Sequence, residues 1–176
     1  AYGMFNAMAA AQQDTRIGMD LLSAELRELS PGAGDLLMAT EDSLRIRALR
    51  KFGIVCITDK NNKRFGVAKL GATSFAAGDS IAIYVDGDSL KAKDDTWQTT
   101  QVQSVASMLN CASTLGLLTG ILMPSSELQQ VTVVGAGLKF DSIYPGAPVR
   151  SYELLTYRVG TVSGDPWVLR VRSDTI

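Results

Sequence analysis

The chain has 176 residues, a formal net charge of -1 and a hydrophobic fraction of 46%, which is ample for one core within the size range of a single domain. Seventeen Lys and Arg balance eighteen Asp and Glu, so no basic face for nucleic acid is expected. Histidine is absent, which removes Ser-His-Asp and Cys-His nucleophiles and His-ligated zinc. Any catalysis would need carboxylate, lysine or metal chemistry, no serine sits in a nucleophile elbow, and no enzyme is expected.

In chain order, the first element reads as one long helix from Ala1 to Ser30, stopped by Pro31-Gly32. Met4, Met8, Ala11, Thr15, Met19, Leu22, Leu26 and Leu29 recur at spacings of three and four, which puts them on one face. At about 1.5 Å per residue the element is roughly 45 Å long, more than a domain of this size needs to cover its own sheet. Part of it should therefore protrude, and a protruding apolar stripe wants a partner. Met4, Phe5, Met8 and Ala11 are the candidate inter-subunit contacts, while Leu22, Leu26 and Leu29 are expected to bury against this chain's own sheet. The start on Ala-Tyr-Gly-Met-Phe, already in helical register, reads as a cut within a longer helix, with a frayed terminal turn as the alternative.

Strands follow. Ser43 to Arg50 alternates, Phe52 to Thr58 is a more continuous apolar run, and Asp59 to Lys63 is a polar tip leading into Arg64 to Leu70. Ser80 to Val85, Thr96 to Met108 and Val131 to Val134 are further strands, and Val149 to Val162 with Trp167 to Val171 reads as a closing hairpin around Ser163-Gly164-Asp165-Pro166. Leu115 to Met123 reads equally as strand or short helix. The expected fold class is α+β: a long N-terminal helix, residues 1–30, whose C-terminal half packs on a mostly antiparallel sheet formed by a β-rich head, residues 31–176. No run of eighteen apolar residues occurs, so no helical membrane span is expected within these residues.

Two cysteines, Cys56 and Cys111, lie in apolar surroundings, and their even number fits a disulfide, with two reduced core thiols as the alternative. The densest acidic stretch holds Asp86, Asp88, Asp94 and Asp95, hard oxygen ligands of the kind that bind calcium. Leu90 stands where an EF-hand needs Asp or Asn, the bidentate Glu is missing, and two lysines intervene, so a solvated loop is expected and no cofactor with it. Gly135-Ala136-Gly137 lacks the third glycine of a dinucleotide fingerprint and reads as a turn. Trp97, Tyr157 and Trp167 are candidates for a ligand groove, although strand aromatics usually pack in cores.

The helix end Leu21-Leu22-Ser23-Ala24-Glu25-Leu26-Arg27-Glu28-Leu29 resembles the exposed half of the N-terminal helix of type IV pilins and type II secretion pseudopilins. The nearest likeness is to their minor subunits, the J-type pseudopilins and W-type minor pilins. Asp42-Ser43-Leu44-Arg45-Ile46-Arg47, Gly53-Ile54-Val55-Cys56, Gly78-Asp79-Ser80-Ile81 and Asp94-Asp95-Thr96-Trp97 continue the likeness in order. Pro145 to Arg150, Tyr152-Glu153, Thr156-Tyr157-Arg158 and Trp167-Val168-Leu169-Arg170 resemble the family's terminal strands. The resemblance implies a pilin-like fold and a structural filament subunit, minor rather than major, drawn with sister subunits into a filament by an inner-membrane assembly platform. It also implies a longer precursor, whose leader and apolar membrane half lie outside these residues. Residence in the inner membrane and periplasm before assembly, and on the filament or cell surface after it, would follow. The rival readings are a homopolymeric major pilin and a surface adhesin or ligand-binding module.

Overall fold

The computed structural model describes residues 2–87, 91, 93, 95–108, 111, 124–135 and 137–173. Helix α1 spans Tyr2–Arg27, and eight strands follow: β1 Leu36–Ala39, β2 Ser43–Asp59, β3 Arg64–Leu70, β4 Ser80–Val85, β5 Thr96–Ser107, β6 Leu128–Val133, β7 Pro148–Val162 and β8 Asp165–Ser173. The segment Leu115 to Met123, ambiguous in sequence, lies outside the described residues. By contacts the chain divides into two compact units: one from residues 49–153, the other from residues 1–48 together with 154–176. The long strands β2 and β7 run through both.

The larger unit overturns the expected α+β, pilin-like arrangement of a helix laid along a sheet. The described residues are mostly strand, and six of the strands close into an antiparallel barrel in the order β2-β3-β6-β5-β4-β7 and back to β2. Closure is made where the Val55 N–H donates to the Ala147 carbonyl at 2.9 Å and the Gly146 N–H to the Val55 carbonyl at 2.7 Å. The physical reason is that the sheet buries its apolar face against itself. Alternate residues Phe65 and Val67, Ile81, Ile83 and Val85, and Val131 and Val133 turn inward and meet Val55, Val102 and Val149. Phe75 and Ile143 join the same cluster. Six strands of β-branched side chains fill a small barrel without a helix.

Two strands read as separate are one. The change from alternation at Ser43 to Arg50 to a continuous apolar run at Phe52 to Thr58 marks no break: β2 stays extended through 17 residues. At Val55 and Cys56 both faces are covered, since Val55 points into the barrel cluster while Cys56 joins Ala68, Cys111 and Leu128 in a second one. A register shift against β3 falls between Val55 and Ile57. The tip after β2 is held by the Asp59 carboxylate, which accepts from the Asn62 side chain at 2.8 Å and from Arg64 Nε at 2.8 Å. Those two donors hold Asp59 below the usual carboxylate range.

The smaller unit contains α1 and a four-stranded stretch in the order β1-β2-β7-β8. Helix α1 is the one α-helix among the described residues, and it meets strands only at its end. Leu22 and Leu29 pack against Ile46, Ala48, Leu155 and Tyr157, and the Arg170 guanidinium reaches the buried Glu25 carboxylate at 3.3 Å. Leu26, expected in that contact, stays 41% exposed. The exit is fixed by a turn at Pro31–Ala33 and by Gly34 at a φ of 79°, the left-handed region that glycine enters without steric cost. Buried Asp35 accepts the Ser30 N–H at 2.9 Å, and the Arg47 N–H donates to the Asp35 carbonyl at 2.8 Å.

Candidate functional site

The stripe on α1 is a single surface of which the strands cover only the last turns. A helix advances 100° per residue, so Met4, Met8, Ala11, Thr15, Met19 and Leu22 lie within one narrow arc, and Leu22 is where burial begins. Every residue from Gly3 to Leu21 is exposed. Met4 is 68% exposed, Phe5 69% and Met8 55%, while Ala11 beside them is exposed as well. Thr15 interrupts the apolar row less than its type suggests. Its hydroxyl donates to the Ala11 carbonyl at 2.8 Å, one turn back, which satisfies the hydroxyl within the helix and leaves the methyl to the face.

Residues 1–13 carry no charge, and Asp14, Arg16 and Asp20 follow them. Ile17 and Leu21 add a second exposed apolar strip on another side of the helix, one that the stripe pattern had left out. The helix thus offers apolar contact in more than one direction. An isolated helix of this length containing Gly3 and Gly18 is marginal in water, because its stability normally comes from packing an apolar face. No helix among the described residues is long and apolar enough to cross a membrane.

Cys56 and Cys111 form a disulfide with their Cα atoms 5.5 Å apart. Both are fully buried, and the bond sits on the side of β2 opposite the barrel interior, where Met108 Sδ lies 3.5 Å from Cys111 Sγ. It fastens residue 111 to the β2–β3 face. Gly66 on β3 makes the room, since a Cβ there would lie 2.5 Å from both Cys111 Sγ and Met108 Sδ.

The acidic stretch divides between described and undescribed residues. Asp88 and Asp94 lie outside the described residues. Asp95 accepts the Tyr84 hydroxyl at 2.7 Å, and the Asp86 N–H donates to the Ser142 carbonyl at 3.0 Å. Among the described residues no group of three or more potential ligands gathers around a common point. The hydrogen bond to Asp95, then burial, then the negative charges of Asp95 and Asp86, push the Tyr84 phenol above the ordinary tyrosine value of 10.0. The bond should therefore be intact below pH 10 and lost only as pH climbs through the raised value. Asp95→Asn should bring the Tyr84 titration, followed by ultraviolet absorbance, back toward the ordinary range; an unchanged midpoint would discard this coupling.

The three aromatic candidates are engaged in different ways. Trp97 makes an edge contact with Tyr84 at 5.7 Å, and the Arg150 guanidinium stacks 4.3 Å over its ring, occupying the face that a ligand would use. Sequence spacing hides this cluster because it depends on cross-strand pairing, Tyr84 opposite Trp97 and Ala82 opposite Arg150. Tyr157 is buried in the helix-anchoring cluster, and Trp167 lies exposed on β8. Comparison of the chain with protein-family models, with curated proteins and with solved structures gives no match.

Proposed function

We propose that the chain is a structural assembly subunit whose α1 stripe packs against the helices of neighbouring subunits. The observation that carries this reading is the continuity of the stripe: one apolar arc, covered at Leu22 and Leu29, runs on uncovered through Met19, Ala11, Met8 and Met4. Burying a Met or Phe side chain gains about 1.5–3 kcal/mol, so several such residues on one rod favour association strongly. The ordered sequence resemblance to minor pilins and pseudopilins supports a type IV filament-like machine, with an inner-membrane platform and sister subunits as partners. A disulfide is at home in an oxidising compartment such as the periplasm, which agrees with assembly outside the cytoplasm. In this reading the assembly role rests on α1.

A photo-crosslinking residue introduced at position 4, 8 or 11, in cells that make the protein, should yield adducts with chains carrying a similar helix. The same group at position 14 should yield few. Adducts with other subunits support a minor role, and adducts between copies of this chain alone support a homopolymeric one. No helix-to-helix adduct from any of the three positions would overturn the proposal.

A further inference from the structure

Three strands meet at one mouth of the barrel. β3 and β5 finish there and β6 begins there, because β6 is antiparallel to both. Val67 stands opposite Gln129, and Gln129 opposite Ser107, so the three share a face, which Val67 marks as the one turned to the barrel interior. Lys69, two residues past Val67, projects from the same face at the rim. The loop after β3 crosses this mouth. Phe75 sinks its ring into the barrel cluster, and the Gln129 amide clamps its backbone: Oε1 accepts the Phe75 N–H at 2.9 Å, and Nε2 donates to the Phe75 carbonyl at 3.2 Å. That clamp fixes Ser74, the residue before it, beside Lys69.

A recess of about 350 Å³ opens here, and among the described residues Lys69 is the one charged side chain lining it. The Lys69 side chain is only 11% exposed, and among the described residues its ammonium makes one hydrogen bond, to Ser74 Oγ at 3.1 Å. Glu127 stands 3.9 Å away, beyond hydrogen-bond reach, and does not line the recess. An ammonium carries three donors, so two remain. Ser74 Oγ accepts from Lys69, which turns its own proton elsewhere. Ser107 on β5 and Ser126 in the turn before β6 bring hydroxyls from two other segments. The recess thus gathers donors around a largely buried cation. Such a charge is costly to hold with donors unspent, and an anion relieves it through charge-assisted hydrogen bonds. Hydroxyls arriving from three segments suit oxygens spread tetrahedrally better than the two coplanar oxygens of a carboxylate.

We propose that this barrel mouth binds a tetrahedral oxyanion, a phosphate or sulfate group, with Lys69 as its ion partner and Ser74, Ser107 and Ser126 as hydroxyl donors. Barrel mouths are a common place for small ligands. The site lies wholly within residues 49–153 and uses nothing from α1.

Isothermal titration calorimetry of the full chain at low ionic strength tests the site, with inorganic phosphate, sulfate, glycerol phosphate and acetate as separate probes. Phosphate and sulfate should bind at one per chain, and acetate more weakly. Lys69→Met should weaken phosphate and sulfate binding by about tenfold or more. Lys139→Met, which removes an exposed lysine outside the recess, should leave it unchanged. Glu127→Gln should tighten binding, since it removes the negative charge beside the ammonium and keeps Lys69 in place, and it decides the matter if Lys69→Met fails to fold. Equal binding of phosphate and glycerol phosphate assigns a free oxyanion, and tighter binding of glycerol phosphate assigns a phosphate carried on a larger molecule. No saturable binding of phosphate, sulfate or glycerol phosphate, or an affinity untouched by both Lys69→Met and Glu127→Gln, overturns the proposal. Acetate binding as tightly as sulfate overturns the tetrahedral assignment.

Discussion

Replacing Met8 by Glu is expected to abolish assembly through α1 while leaving the free subunit unchanged. Met8 is 55% exposed and touches nothing that holds the fold, so the substitution should alter unfolding stability by less than about 0.5 kcal/mol. Helix propensity barely changes, since Met and Glu rank together. In a helix bundle the same carboxylate would sit in an apolar seam without a partner, at a cost of several kcal/mol. Three kcal/mol corresponds to more than a hundredfold in association. Sedimentation velocity on the isolated chain, or incorporation into filaments in cells, would read the effect, and Met8→Leu should restore it. Equal assembly by the parent and Met8→Glu would mean that the stripe is not the contact.

The same residue shows why part of this protein is legible from sequence. A helix face is a local property, set by residues three and four apart, so the stripe from Met4 to Leu26 appears without knowledge of the fold, whereas the helix ends at Arg27 rather than at the expected Ser30. How far a face is covered is not local. Leu26 lies on the arc yet remains exposed, because the strands reach Leu22 and Glu25 near the helix end and Leu29 just past it. Barrel closure is less local still: Val55 bonds to Gly146 and Ala147, across most of the chain, and nothing in either segment names the other. The apolar run around Val55 and Cys56 does signal two covered faces, but it does not say that the cover on one side is the same sheet returning. β1 escapes notice for a different reason. Leu36-Leu37-Met38-Ala39 has no alternation to detect and is a strand because β2 pairs with it.

The disulfide has a larger expected effect on stability than any single surface contact. A bridge across 55 residues lowers the entropy of the unfolded chain by an amount worth about 4 kcal/mol in the chain-entropy model. Reduction under denaturing conditions, or Cys56→Ala with Cys111→Ala, should lower the thermal midpoint by roughly 10 °C for a chain of this size. The alanine pair should lose somewhat more than reduction, because it also empties the space that two buried sulfurs fill beside Ala68 and Leu128. Gly66→Ala attacks the same place from β3. Its Cβ would lie 2.5 Å from the Cys111 sulfur and 2.8 Å from Ile57 Cγ2, a clash in the overpacking range of about 1–3 kcal/mol. Combined with the alanine pair, Gly66→Ala should cost less than it does alone, since the sulfur it strikes has gone. Urea unfolding of the four chains closes the cycle. Strict additivity would show that Gly66 is constrained by Met108 and Ile57 rather than by the bridge, and unchanged stability after reduction would remove the disulfide from the account of what holds the barrel's outer face.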